Sequence, residues 1–371
     1  MRKEFGVYLH VPFCLSKCPY CDFCSFPGLS EETRAQYVGA LIREIGERDF
    51  PPLTATSVFF GGGTPTLLSV AQFDALCSMI DARFGLACDA EITFEMNPAT
   101  ADREKLRALR ALGFNRVSIG CQSFSDDELR ALGRAHDAEE IFTAYEDALA
   151  AGFDNVNLDL MYGIPRQTTG SFGKTLETVI SMAPEHVSAY GLILEEGTPF
   201  FSRQKELDLP EDDAEADMYA LASSMLRDAG YRHYEISNYA RPGRECRHNL
   251  LYWRQGEYAA YGLSASSHVA GVRKTNTRDL SRYLSDPVRA TAEETVIEDA
   301  EYEYIMLRLR LTEGIDEEEF RRRFGHGFRE RSADKLAPWF ARVVLVSDGD
   351  RTALSDEGLY LNSALLRELL P

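Results

Sequence analysis

Along the first 200 residues, short β-forming runs alternate with segments whose apolar residues recur at helical spacing. Phe5–Val11 is the first such run. Ser30 is placed to cap a helix, Glu31 and Glu32 suit its first turn, and Ala35, Val38, Leu41, Ile42 and Ile45 then fall on one face. Ser57–Phe60 is a second strand ending in Gly61-Gly62-Gly63, followed by a helix with Val70, Phe73, Leu76, Cys77 and Ile80 on one side. The pattern continues with strand Glu91–Glu95 and helix Ala101–Leu112, then strand Arg116–Gly120 and helices over Asp126–Leu132 and Ala138–Ala151. Strand Asn155–Tyr162, helix Ser171–Met182 and strand His186–Leu194 complete it. Repeated β-α units imply an α/β fold with a parallel sheet and helical crossovers, doubly wound or barrel-like; periodicity does not choose between the two.

Beyond residue 200 the rhythm changes. Glu206–Asp217 reads as a solvated acidic loop leading into a helix with Met218, Leu221, Met225 and Leu226 on its apolar face and Gly230 at its end. Tyr231–His268 is aromatic and irregular. From Asp299, a helix carrying Tyr304, Met306 and Leu307 precedes a turn at Glu313-Gly314 and an arginine-rich helix, Asp316–Phe324. Val343–Ser347 and Arg351–Leu354 form a hairpin about Asp348-Gly349-Asp350, and Asn362–Leu370 a last helix. The expected division is a core over 1–200, a connecting region over 201–298, and a mostly helical domain with a small β-wing over 299–371.

Charge narrows the partners. With a formal net charge of -19, the 371-residue chain repels phosphate backbones, so no nucleic acid is expected. No signal peptide stands at the start and no run approaches the roughly 20 apolar residues of a membrane helix, so a cytoplasmic protein is expected. Four of the eight cysteines lie within Cys14–Cys24, a crowding that favours metal or redox chemistry over a disulfide framework. Cys77 and Cys88 read as inert thiols.

The chemistry gathers at strand ends. Cysteines follow the first strand and glycines the second, while Glu95, Gln122 and Asp159 stand at the ends of the next three. In a parallel sheet these ends share one side, where α/β barrels build their sites. Cys14-x3-Cys18-x2-Cys21 supplies three thiolates, enough for three irons of a [4Fe–4S] cubane, unlike the paired C-x2-C motifs of zinc sites. The open fourth iron suits the amine and carboxylate of S-adenosylmethionine (SAM), which one electron can cleave to a radical. Gly61-Gly62-Gly63-Thr64-Pro65 allows backbone amides to approach such a ligand. Glu95 and Asp159 can accept from ribose hydroxyls or an ammonium, and Gln122 and Arg134 can donate to a carboxylate.

Tyr8-x-His10-x-Pro12-Phe13-Cys14-x3-Cys18-x2-Cys21 resembles the radical SAM family of oxygen-independent coproporphyrinogen III oxidase. So do the GGGTPT run, Glu95, Cys121-Gln122-Ser123-Phe124, Gly133-Arg134 and Asp159–Pro165, and the likeness spans essentially the whole chain. It implies a partial (β/α)6 barrel with a SAM site lined by Tyr8, Tyr20, Gly62, Gly63, Thr64, Glu95, Gln122, Arg134 and Asp159. The segment Cys246–Trp253 reproduces the H-N-x-x-Y-W motif of the family's heme chaperone branch, with Tyr234–Tyr239 upstream also similar. The resemblance then implies that the chain binds the cluster, SAM and heme, and passes heme to an acceptor protein, such as a membrane-associated respiratory enzyme. His248 is the candidate heme contact, with Tyr252 and Trp253 against the porphyrin face. The alternative is the oxidative decarboxylation of coproporphyrinogen III, or other radical chemistry on a porphyrin-like substrate. Three departures from the family stand out. Phe23 occupies the place of the further cysteine that decarboxylases carry. Cys24, one residue later, is not a required ligand but is a thiol able to bind metal or heme. Ala260 and Ser264 replace expected glycines after the H-N-x-x-Y-W motif.

Overall fold

Strands β1 (Phe5–Val11), β2 (Ala55–Gly62), β3 (Leu86–Met96), β4 (Arg116–Gln122), β5 (Val156–Tyr162) and β6 (His186–Gly191) lie side by side in chain order, all parallel. That order settles the topology, because a doubly wound sheet reverses direction at a switch point and this one never does. The computed structural model describes residues 4–51 and 53–369. Within it the sheet is a partial (β/α)6 barrel. β1 and β6 do not pair with each other: β1 is flanked by another parallel strand and β6 by an antiparallel one.

Alternation along the strands explains both faces. Val58, Phe60, Ile92, Phe94, Val117, Ile119, Leu158 and Leu160 are buried in the main apolar core against the helices. Apart from Phe59, the positions beside and between them are polar: Ser57, Glu91, Thr93, Glu95, Arg116, Ser118, Asn157 and Asp159. Successive side chains point to opposite faces, so this alternation gives the barrel an apolar outside for its helices and a polar lumen. The helices start where side-chain oxygens replace missing backbone acceptors: Ser30, Ser69, Asp102, Asp137 and Thr168 each accept an N–H from the first turn.

The stretch Tyr231–His268, expected to be irregular, contributes four strands to the sheet, and two more follow it. β7 (Arg232–Glu235) and β8 (Asn238–Ala240) extend it beyond β6; β9 (Glu257–Tyr261), β10 (Ser266–Val269), β11 (Val272–Asn276) and β12 (Thr291–Val296) extend it beyond β1, to twelve strands. These strands are three to six residues long, too short for a readable period, and β9 pairs in parallel with β1 from more than 240 residues away.

The C-terminal region matches its expectation in outline. Helices Ala300–Arg308 and Glu317–Phe324 precede a hairpin of Leu345–Asp348 and Arg351–Leu354. Ile315–Asp316 adds a third strand, and helices Phe328–Arg331 and Ala333–Ala341 lie between; none of the three was anticipated. The last helix is described over Asn362–Leu369, and Leu370 lies outside the described residues.

Candidate functional site

The cysteine loop leaves the C-terminal end of β1 and is pinned from three sides. The Phe26 N–H donates to the Pro12 carbonyl at 2.7 Å, closing the loop on itself. Gly63 and Thr64 donate to the carbonyls of Val11 and Phe13 at 2.8 and 2.6 Å. The glycine run therefore lies directly against the loop, and a Cβ on Gly63 would stand 2.5 Å from the Phe13 carbonyl oxygen. His10 holds the far end. Its Nε2 donates to the Cys24 carbonyl at 2.8 Å, which leaves Nδ1 to accept from the Tyr8 hydroxyl at 3.1 Å.

Cys14, Cys18 and Cys21 are half-buried free thiols facing a cavity of about 450 Å³ at the barrel mouth. Tyr20, Gly62 and Gly63 share that cavity with Glu95, Gln122, Arg134 and Asp159. Seven of the nine residues expected around SAM are thus brought together with the three cysteines. The other two lie deeper: Thr64 is buried, and Tyr8 lines a second cavity below.

A hydrogen-bonded chain ties two cysteines together. The Thr64 hydroxyl lies 3.9 Å from the Cys14 sulfur and accepts from Asn97 Nδ2 at 2.8 Å. Asn97 Oδ1 accepts from Arg134, which also donates to the Gly120 carbonyl at 2.9 Å and stands 3.5 Å from both the Cys18 sulfur and the Tyr20 hydroxyl. The guanidinium and the hydroxyl thus each present a donor to a cysteine sulfur. Burial pushes the Cys21 thiol above its ordinary value, so at neutral pH that sulfur needs a metal to deprotonate it. Among the described residues no three His, Cys, Asp or Glu side chains converge on a point fit for a single metal ion. A cubane makes no such demand, since each thiolate binds a different iron. The three half-buried sulfurs, the donors facing two of them and the adjoining cavity fit a [4Fe–4S] cluster with room for a ligand beside it. Gln122 takes a left-handed φ of +67° at a bulge between β4 and β5, which turns its side chain toward the mouth. Cys24 is no part of this set. It is 7% exposed, packed in the core, with its sulfur 3.9 Å from the Arg278 carbonyl.

Below the mouth lies an inner cavity of about 210 Å³, and Glu95, Asp159 and Tyr190 line both. Asp159 accepts from Ser118 at 3.0 Å and Asn157 at 2.7 Å, yet burial still raises its carboxyl. Glu95 is pushed up to about 7 by burial and then by Asp159, against the pull of the Gly62 N–H at 3.0 Å. Between about pH 4.5 and 7 the folded chain therefore holds a proton that the unfolded chain has lost, so stability falls as pH rises through that window. Glu95→Gln is expected to remove up to about 3 kcal/mol of that decline, read as the difference in urea unfolding free energy between pH 5 and pH 8.

His248 is elsewhere. The helix Arg247–Trp253 crosses the opposite end of the barrel, where His248 meets Ser57 near the start of β2 and would touch a Cβ on Gly6 at the start of β1. The imidazole is 1% exposed. Its Nδ1 is 2.8 Å from the Ser57 hydroxyl and its Nε2 2.7 Å from the Tyr252 hydroxyl, and Phe59 stacks on the ring. Burial, reinforced by Arg116, pushes the ring down to about 3, so it is neutral. The altered glycine run lies at the C-terminal end of β9, beside the end of β1 that leads into the cysteine loop, where a Cβ on Gly262 would stand 2.7 Å from the His10 carbonyl oxygen. Ala260 is in β9 opposite Tyr8, and Ser264 takes a left-handed φ of +57°, a conformation that explains why glycine is expected there. The sequence reading missed Asn97, which links Arg134 to Thr64, although it stands two residues after Glu95 at the end of the same strand. It also missed Arg116, Ser118, Asn157 and Ser188, whose signal was the polar residue at every second position in the first half of β4 to β6.

Residues 8–179 match the Radical SAM superfamily and residues 298–361 the HemN C-terminal domain. The chain is 37% identical to the Heme chaperone HemW of Bacillus subtilis, over 90% of this chain and 89% of that protein. It is 36% identical to the HemW of Escherichia coli, over 97% of both chains, and 32% identical to that of Lactococcus lactis, over 100% and 98%. Among solved structures, coproporphyrinogen III oxidase (HemN) of Escherichia coli, described as a radical SAM enzyme, superposes with a TM-score of 0.86 at 26% identity, covering 99% of this chain and 90% of that one. No helix among the described residues is long and apolar enough to cross a membrane.

Proposed function

Because the chain belongs to the HemW family of heme chaperones within the radical SAM superfamily, we propose that it binds heme and transfers it to an acceptor protein in the cytoplasm or at the membrane surface, on a barrel that also holds a [4Fe–4S] cluster and SAM. Cys14, Cys18 and Cys21 hold the cluster, which when bound supplies a single low-potential electron. Arg134 and Thr64 donate toward the sulfurs of Cys18 and Cys14. Glu95 and Asp159 accept from the ammonium or ribose hydroxyls of SAM, Gln122 donates to its carboxylate, and Gly62 and Gly63 let the backbone lie close to it. Tyr20 closes one side of the cavity, and Tyr8 fixes His10, which in turn holds the loop. His248 is the heme ligand, with Tyr252 and Trp253 beside it.

The observation that carries heme transfer over decarboxylation is Phe23. It stands 63% exposed at the mouth, where the decarboxylases carry a further cysteine, in a chain that aligns end to end with several heme chaperones. The resemblance in fold to coproporphyrinogen III oxidase supports a second reading, oxidative decarboxylation of coproporphyrinogen III. Incubating the reconstituted chain anaerobically with coproporphyrinogen III, SAM and reductant separates the two. Unchanged substrate is expected, and steady formation of protoporphyrinogen would replace the first reading with the second.

A further inference from the structure

Taking the heme reading of His248 as its premise, we infer that the helix Arg247–Trp253 is a closed gate, fixed at its first turn and released at its last, and that the C-terminal domain sets how often it opens. As it stands, His248 cannot meet iron. Both ring nitrogens are engaged, by Ser57 and Tyr252, and the residue is 1% exposed. The cavity it lines holds about 210 Å³, below the roughly 300–1,000 Å³ of ordinary small-molecule pockets, so a macrocycle does not fit inside. Heme therefore reaches this imidazole only after the helix moves.

The two ends of the helix are held very differently. At the first turn, the carboxylate of Glu91, itself 6% exposed, accepts from the N–H groups of Arg247 and His248, each at 3.0 Å, with the Cys246 thiol 3.6 Å away. Buried charge-assisted bonds of this kind are strong, and breaking them leaves an uncompensated charge. At the last turn Leu251 packs toward β1 and Tyr252 meets Tyr258 of β9 edge-on at 4.5 Å, and the further partners come from the C-terminal domain. Arg254 meets Glu313 at 3.2 Å, with both side chains more than a third exposed, an arrangement worth little in water. Arg310 lies over the Trp253 ring at 4.4 Å, but Trp253 Nε1 and Arg310 Nε are both buried without a hydrogen-bond partner among the described residues. Each such orphan donor works against the contact. Gln255, directly after the helix, takes a left-handed φ of +56° and is bonded to Arg323 of the same domain. Strain, orphan donors and exposed pairs thus gather at one end, and the strong buried bonds at the other. The helix opens at Trp253–Gln255 and pivots about Glu91.

Gated access has a kinetic signature that a permanently exposed ligand lacks. Stopped-flow mixing of heme with the full-length chain would record the association rate against heme concentration. The expected rate levels off at a plateau equal to the opening rate, and Glu313→Ala and Arg310→Met, changed on the C-terminal domain only, each raise that plateau by up to about fivefold. Hydrogen exchange across residues 250–255 should quicken in the same variants while exchange at 247–248 stays slow. A native rate that rises linearly with heme, or a plateau unmoved by both variants, would overturn the gate and leave heme binding intact. Binding that persists unchanged in His248→Ala would also overturn it, by placing heme elsewhere. No heme binding at all would remove the premise together with the gate.

Discussion

Changing any one of Cys14, Cys18 and Cys21 to alanine is expected to reduce the iron bound on anaerobic reconstitution from about four per chain to near none. A cubane with three protein ligands has none to spare, because its fourth iron is already open. The loss should not come from unfolding. All three side chains are half-buried on a loop whose backbone is held by Phe26, Gly63 and Thr64, and none belongs to the main apolar core. Cys24→Ala is the matched control. Its sulfur faces the Arg278 carbonyl inside the core, so that variant should lose some stability and keep its iron. Iron and sulfide analysis beside a thermal melt reads both effects. A Cys24 variant that fails to bind iron, or a Cys18 variant that binds it fully, would place the cluster on other ligands.

Gly62→Ala is expected to damage the site through the backbone. Gly62 has a φ of +112°, and an added Cβ would stand 2.4 Å from the His10 imidazole. The backbone conformation alone costs a side chain about 1–3 kcal/mol, and the forced repacking about 1–3 more. Against a total stability of roughly 5–15 kcal/mol this is a large share. His10 is the ring that must give way, and it anchors the Cys24 carbonyl and the Tyr8 hydroxyl. The same substitution should therefore loosen the cysteine loop and weaken SAM binding well beyond its effect on global stability. Urea unfolding and equilibrium dialysis of SAM measure the two effects separately. A variant of native stability and native SAM affinity would show that the close approach of Gly62 to His10 is unimportant.

These effects trace back to what a local pattern can and cannot carry. Strands β1 to β6 and their helices were legible because each has a long enough run, a clear period and a polar cap such as Ser30 or Asp137. The cysteine loop and its glycine neighbour were legible because chain order in a β-α repeat places consecutive strand ends side by side. β7 to β12 were not, because three-residue and four-residue strands show no period and β9 takes its place beside β1 through a long-range pairing. The two-residue strand Ile315–Asp316 was hidden for the same reason. His248 is the instructive case. Its chemistry suggested an available imidazole, but availability is decided by Ser57, 191 residues away, and by a tyrosine one turn along its own helix. The glycine expected at Ser264 was likewise a backbone matter, a left-handed turn that the serine adopts at φ +57°.

Heme capture is tested most directly by one titration, following the Soret band as heme is added to the anaerobically reconstituted chain, with His248→Ala and Cys77→Ala run alongside. A saturable change at about one heme per chain is expected for the native protein, with at least about tenfold weaker binding for His248→Ala and none of that loss for Cys77→Ala. Absence of any saturable change in the native chain would contradict heme handling altogether.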